Sequence, residues 1–419
     1  MAKYRHAKGP STLHIVLIVL ASVLVLAAIV FGVFKLINST PEKEIETPPT
    51  QPVATQPVAT KDEAPTEAPT EDPQLKYTSQ SKDYLGSMSE DEKIYQMFIV
   101  TPEALTGVDV ATIAGDATKE AIKNKPVAGI YYSAGNFEDE EQITELLKNT
   151  QSFSKTPMFL ALTDEGGESS PLYSKFSTAK NNNIYKHDSN YAGSLALGIS
   201  KFGINMNLAP CANLEGDNIF STEAKSAGDG CASVVDEFTS KGIISVVKHF
   251  PVATDSTKTT DELIGNETHP FAASIDRGAG VVMMSSAKLS SIDNVDPAFM
   301  SHKVVQEFLI DGFKFDKVVM TPNLSSDSIK GVYEPTQVVV GSIKAGVNLF
   351  LCPDDIDAYV KAVKDALKNG DITQEQIDNS VEKILALKFE FGLIKNTEPV
   401  LTPSEGETEA PTLQNIDTN

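Results

Sequence analysis

Arginine is almost missing from this chain: of 35 basic residues only Arg5 and Arg277 are arginine. Lysine carries solubility, but it substitutes poorly where a planar, bidentate donor must grip a carboxylate or sugar oxygens. Cysteine is nearly as scarce. Cys211, Cys231 and Cys352 show no paired spacing, so they make neither a zinc site nor a disulfide framework and read as buried free thiols. No metal or cofactor is expected. The formal net charge of −22 argues against nucleic acid and against adhesion to anionic lipid.

What is present divides the chain. Residues 13–37 are almost wholly apolar, and 15–34 carry no charge, enough to span a bilayer as a helix. Lys3, Arg5 and Lys8 precede this segment, and Glu42, Glu44 and Glu46 follow it. That asymmetry holds residues 1–12 in the cytoplasm and sends the rest out. An uncleaved anchor is the expectation: a signal peptide has a shorter apolar core, and no small-x-small site follows Phe34. No cysteine lies nearby to take a lipid. Residues 38–76 are rich in Pro, Thr and Glu, with a tandem Gln-Pro-Val-Ala-Thr at 51–60 and repeated Ala-Pro-Thr-Glu at 64–71. Such a stretch cannot bury a core and is expected to be a semi-extended linker reaching on the order of 100 Å at about 3 Å per residue. The tail, 395–419, has similar composition and the same expectation of disorder.

Residues 77–394 are long enough for one large domain. Eight short runs, apolar on both faces, recur within it at 96–100, 127–132, 158–162, 204–208, 243–247, 280–284, 316–320 and 347–351. Their starts lie roughly 31 to 46 residues apart, room for a crossover helix each time. Between them fall apolar stripes such as Ile143, Leu146 and Leu147, or Val304, Val305, Phe308 and Leu309. Ser89-x-x-Glu92 and Thr373-x-x-Gln376 are capping boxes. The pattern predicts an α/β fold, a (β/α)8 TIM-type barrel, whose active site lies at the C-terminal strand ends.

Those ends carry recognisable residues. The third run leads into Thr163-Asp164-Glu165-Gly166-Gly167, the fourth reads Gly203-Ile204-Asn205-Met206-Asn207-Leu208-Ala209-Pro210, and the fifth ends Val247-Lys248-His249-Phe250-Pro251. Taken alone, Gly-Gly is an ordinary turn and a Lys-His pair at a strand end is more often structural. Together they resemble the glycoside hydrolase family 3 N-terminal domain, the fold of bacterial β-N-acetylhexosaminidases, across residues 88–394. The resemblance implies that Asp164, Lys248 and His249 bind sugar hydroxyls.

The chain then departs from that family where the family's chemistry lies. The seventh run ends Met320-Thr321-Pro322-Asn323-Leu324, against a family pattern of Thr-Asp-Asp-Leu whose first aspartate is the nucleophile. Pro322 holds that position and has no carboxylate. The loop after His249 reads Val252-Ala253-Thr254-Asp255-Ser256, without the family's two histidines, and His269 fits the next helix better. The family arginine is absent from residues 218–222. Asn213 and Asn348 stand where aspartates are usual, and Ser286 where a histidine is. A relocated pair of acids, drawn from Asp164, Asp327, Asp354 and Asp355, is the remaining route to hydrolysis, at a separation of roughly 5 Å or 6.5–9.5 Å. The expectation is a membrane-tethered, extracytoplasmic barrel without an intact catalytic residue. It would bind peptidoglycan or another N-acetylglucosamine-type glycan, or a protein partner at the cell surface. The alternatives are an active β-N-acetylhexosaminidase with a rearranged site and a purely structural platform.

Overall fold

The computed structural model describes residues 73–395, apart from 173–174, 176–182, 187–188 and 217. The expected membrane segment, nearly all of the linker and the tail beyond Lys395 lie outside the described residues. Among the described residues no helix is long and apolar enough to cross a membrane. The first helix, Pro73–Gly86, overlaps the last residues of the expected linker.

Eight parallel strands close on themselves in chain order: β1 (Phe98–Val100), β2 (Gly129–Tyr131), β3 (Phe159–Leu162), β4 (Met206–Asn207), β5 (Ile244–Phe250), β6 (Val281–Met284), β7 (Val318–Asn323) and β8 (Leu349–Leu351). All eight fall on the runs read from the sequence. Alternation along each strand divides the apolar side chains into two sets. Phe159, Ala161, Val281, Met283, Val318 and Met320 fill the barrel interior. Leu160, Leu162, Val282, Met284 and Val319 face the crossover helices. Both expected capping boxes form: Ser89 Oγ accepts from Glu92 N at 3.2 Å, and Thr373 Oγ1 accepts from Gln376 N at 3.2 Å.

The strand limits differ from the sequence runs, and at β4 and β5 the reasons are identifiable. β4 has only two residues because side chains do part of its pairing. Asn205 Oδ1 accepts from Leu160 N at 2.9 Å, and its Nδ2 donates to Met158 O at 3.1 Å. β5 continues through Lys248 and His249 to Phe250, with a register shift against β6 between Val247 and Phe250.

The final helix, Gln374–Glu390, closes the N-terminal end of the barrel. Its Ile384 and Leu387 belong to the interior cluster, with Phe391 and Leu393 packed against it. Lys388 on the same helix is fully buried, donating to Gln96 Oε1 at 2.7 Å and lying 4.8 Å from the centre of the Phe159 ring. Burial pushes its pKa down to about 7. A Cβ at Gly280, at the foot of β6, would sit 3.0 Å from Leu387 Cδ1. Leu387→Ala is expected to cost about 3 kcal/mol of unfolding free energy in urea. Gly280→Ala should cost less in the Leu387→Ala background than in the parent, because the two changes share one space. A loss below about 1 kcal/mol for Leu387→Ala would mean the helix is not a plug.

Candidate active site

Side chains at the C-terminal strand ends share one mouth, however far apart they lie in sequence. After β3 the chain turns at Gly166 and Gly167, whose φ values of 74° and 68° suit glycine. The turn sends the two preceding acids in different directions. Asp164 is fully buried. Asn207 clamps its backbone from β4, accepting from Asp164 N at 2.9 Å and donating to Asp164 O at 2.7 Å. Both carboxylate oxygens of Asp164 are occupied internally, by Gly166 N at 2.8 Å and Ser170 Oγ at 2.7 Å. Burial raises its pKa to about 6 even though those two hydrogen bonds pull it down.

Glu165 faces β5 instead. Its Oε1 lies 3.0 Å from Lys248 Nζ, an ion pair without hydrogen-bond alignment, and its Oε2 accepts from Asn218 Nδ2 at 2.8 Å. The Lys248 ammonium donates to the Leu208 carbonyl at 2.6 Å. A buried pair of this kind is tolerated only when its other valences are met, which Leu208 and Asn218 do. Beside it the Tyr185 hydroxyl accepts from Cys211 N at 3.0 Å, and burial, then Glu165, hold that phenol well above its usual pKa. His249 is fixed through its backbone: its N–H donates to Asn213 Oδ1 at 3.1 Å, and its carbonyl accepts from Asn213 Nδ2 at 3.0 Å. Burial first, and the Lys248 ammonium second, depress the imidazole to about 4, so it is neutral near pH 7.

Of the three residues expected to bind sugar, Lys248 and His249 are neighbours on β5. Asp164 lies behind the turn, and Glu165 is the acid that meets Lys248. Asn218 and Tyr185 were not foreseen. The one available signal was position: Asn218 opens the stretch where an arginine is missing.

The end of β7 is a bulge. Met320 pairs with Leu349 but Asn323 pairs with Leu351, so an extra residue is taken up between them. Pro322 lies within that bulge, buried, with no N–H for a ladder. Leu351 N donates instead to the Thr321 hydroxyl at 3.0 Å. The strand end therefore presents a pyrrolidine ring and the exposed Asn323, whose side chain accepts from Ser325 N at 2.9 Å.

The chain matches the model of the glycosyl hydrolase family 3 N terminal domain over residues 89–387. It belongs to that family. Beta-hexosaminidase A of Pseudoalteromonas piscicida is 24% identical over 324 residues, covering 64% of this chain and 54% of the relative. A beta-hexosaminidase of Psychromonas ingrahamii is 25% identical over 309 residues, covering 67% and 90%. A solved family 3 beta-N-acetylglucosaminidase from Paenibacillus sp. superposes with a TM-score of 0.67 at 22% identity, covering 77% of this chain and 66% of that one. The chain thus spans about half the length of the Pseudoalteromonas relative.

In this family 3 barrel the remaining acids at the mouth are engaged or displaced outward. Asp355 caps a helix, accepting from Asp357 N at 3.0 Å and Ala358 N at 3.1 Å. Asp354 is exposed and pairs with Lys330 at 3.4 Å, and Asp327 is exposed on a turn. In the loop after β5, Glu262 completes a capping box with Thr259, and Asp255 accepts from Lys288 N at 2.8 Å. His269 begins the helix His269–Asp276, as the sequence indicated. Ser286 accepts from Ser328 Oγ at 3.1 Å. A cleft of about 810 Å³ opens between the loops after β4 and β5, bordered by Asn213, Val252, Asp255, Lys258 and Glu267. Glu267 pairs with Lys258 through one oxygen, while the other is buried without a hydrogen-bond partner among the described residues.

Asp164 and His249 oppose each other as pH changes. Asp164, raised from 3.8 to about 6, favours folding below 3.8 and loses that contribution as pH rises through 6. His249, lowered from 6.5 to about 4, favours folding above 6.5 and loses its contribution as pH falls through 4. Each amounts to about 3 kcal/mol, so in the parent the two largely cancel. Relative to the parent, Asp164→Asn should gain stability as pH rises from 4 to 7, and His249→Asn should lose it, measured from urea midpoints. Slopes identical to the parent in both variants would contradict these environments.

Proposed function

We propose that this chain is a family 3 barrel without hydrolytic chemistry, kept as a binding module for an N-acetylglucosamine-type wall glycan and held outside the cytoplasmic membrane by residues 13–37. One observation carries the reading: Pro322, which aligns in the sequence resemblance with the family's nucleophile, is buried in the β7 bulge and offers no carboxylate. A covalent glycosidase needs a carboxylate there and a second group to protonate the leaving oxygen. The charge asymmetry around 13–37 supports the anchor, and the names of the relatives support the class of glycan.

Rearranged catalysis finds no support in the alternative acids. Asp355 is used as a helix cap, Asp164 bonds internally through both oxygens, and Asp327 and Asp354 are exposed. Glycan recognition is assigned to Lys248 and His249, with Glu165 and Asn218 completing the set; Asp164, buried with both oxygens bonded internally, supports the turn that carries Glu165 and does not itself meet the sugar. With no arginine to grip the sugar, affinity should be in the millimolar range, about −4 kcal/mol.

The protein should show no turnover of a chromogenic N-acetylglucosaminide above a heat-inactivated control. Pro322→Asp alone should not restore it, because general acid/base help, typically 10²–10⁴-fold, is still missing. Turnover lost on changing Asp327 or Asp354 would establish a relocated site instead.

A further inference from the structure

The loop after β1 exposes large aliphatic side chains although it is firmly held. Val108 is 43% exposed, Val110 58% and Ile113 75%, while Ala111 between them and Ala114 just after them are buried as anchors. The hydrogen bonds explain the rigidity. Glu103 accepts from Ala111 N at 3.0 Å, Asn136 Nδ2 donates to Ala111 O at 3.0 Å, and Gln142 Nε2 donates to Thr112 O at 2.5 Å. These aliphatics are therefore fixed at the surface and not frayed outward. Aliphatic groups presented together on a rigid loop mark an interaction surface, because little order is lost on binding.

Ile113 also forms one wall of a groove of about 360 Å³. The opposite wall is the start of the helix Glu140–Ser152 and the residues before it, with Glu138, Glu141 and Glu145. Glu141 and Glu145 are one turn apart on the same helix face. No lysine or arginine lines the groove, and none of these three carboxylates is in an ion pair among the described residues. The groove thus has an aliphatic wall and a negatively charged wall.

We propose that this groove docks a basic amphipathic helix of a partner protein. Its apolar side would lie on Val110 and Ile113, and its lysines or arginines would meet Glu138, Glu141 and Glu145. Charge complementarity decides the occupant. The acidic wall repels nucleic acid and an anionic bilayer, and the narrow two-sided shape suits helix-in-groove recognition. The proposal does not depend on whether the barrel hydrolyses anything.

The test uses the full chain and a fluorescently labelled synthetic helix of leucine and lysine, with a leucine/glutamate helix as counterpart. Anisotropy should show saturable binding of the lysine helix only, weakening as salt rises. Ile113→Asp, and Glu141→Lys combined with Glu145→Lys, should each weaken it about tenfold or more, or about 1.4 kcal/mol. Leu197→Asp, an exposed aliphatic on the helix Ser189–Ser200 away from the groove, should leave it unchanged. Hydrogen exchange should slow at residues 108–114 and 138–145 in the complex. Equal binding of the glutamate helix would overturn the proposal, as would indifference to both groove variants or equal weakening by Leu197→Asp. Preferential binding to phosphatidylcholine vesicles would also overturn it, pointing to a lipid surface.

Discussion

A proline at the end of β7 sets the terms for everything around it. Lacking an N–H, Pro322 cannot take part in a regular parallel ladder, and the strand bulges to accommodate it. The Thr321 hydroxyl then accepts the N–H of Leu351 that the ladder leaves over, and β8 stays attached. At this strand end a side-chain hydrogen bond does part of the work of the ladder.

The rest of the mouth follows the same logic. Polar side chains that would otherwise await a ligand have found partners within the protein. Asn207 clamps Asp164, Asn213 clamps His249, and Lys248 donates to the Leu208 carbonyl while balancing Glu165. Among the described residues only Glu165 Oε1 and one oxygen of Glu267 are left there buried without a hydrogen-bond partner. Near pH 7 the mouth has a neutral imidazole and a lysine ammonium paired with Glu165, with no arginine beside them. That electrostatic setting suits weak contacts with hydroxyl groups more than stabilisation of a developing charge.

Much of this was legible in the sequence, for physical reasons that differ by feature. The strands were readable because a parallel barrel buries both faces, so each strand is an apolar run. The capping boxes were readable because both partners lie within four residues. The end of β4 was less so: its pairing is done by Asn205 side-chain amides, which carry no strand signature. The site was half visible. Residue types at the strand ends named Lys248 and His249, but a tight Gly166-Gly167 turn decides which of two adjacent acids meets Lys248. Adjacent positions cannot reveal that choice. Asn218 reaches Glu165 from a loop distant in sequence, and only the assembled barrel brings them together.

Trapping chemistry tests the proposed absence of a nucleophile most directly. A fluorinated N-acetylglucosaminyl fluoride, which accumulates glycosyl-enzyme intermediates in retaining glycosidases, can be incubated with the intact protein and read by mass spectrometry. Without a carboxylate at Pro322 the mass should stay that of the unmodified chain, even after prolonged exposure. A stoichiometric adduct mapped to an acidic residue at the barrel mouth would contradict the loss of covalent chemistry and identify the residue that had taken it over.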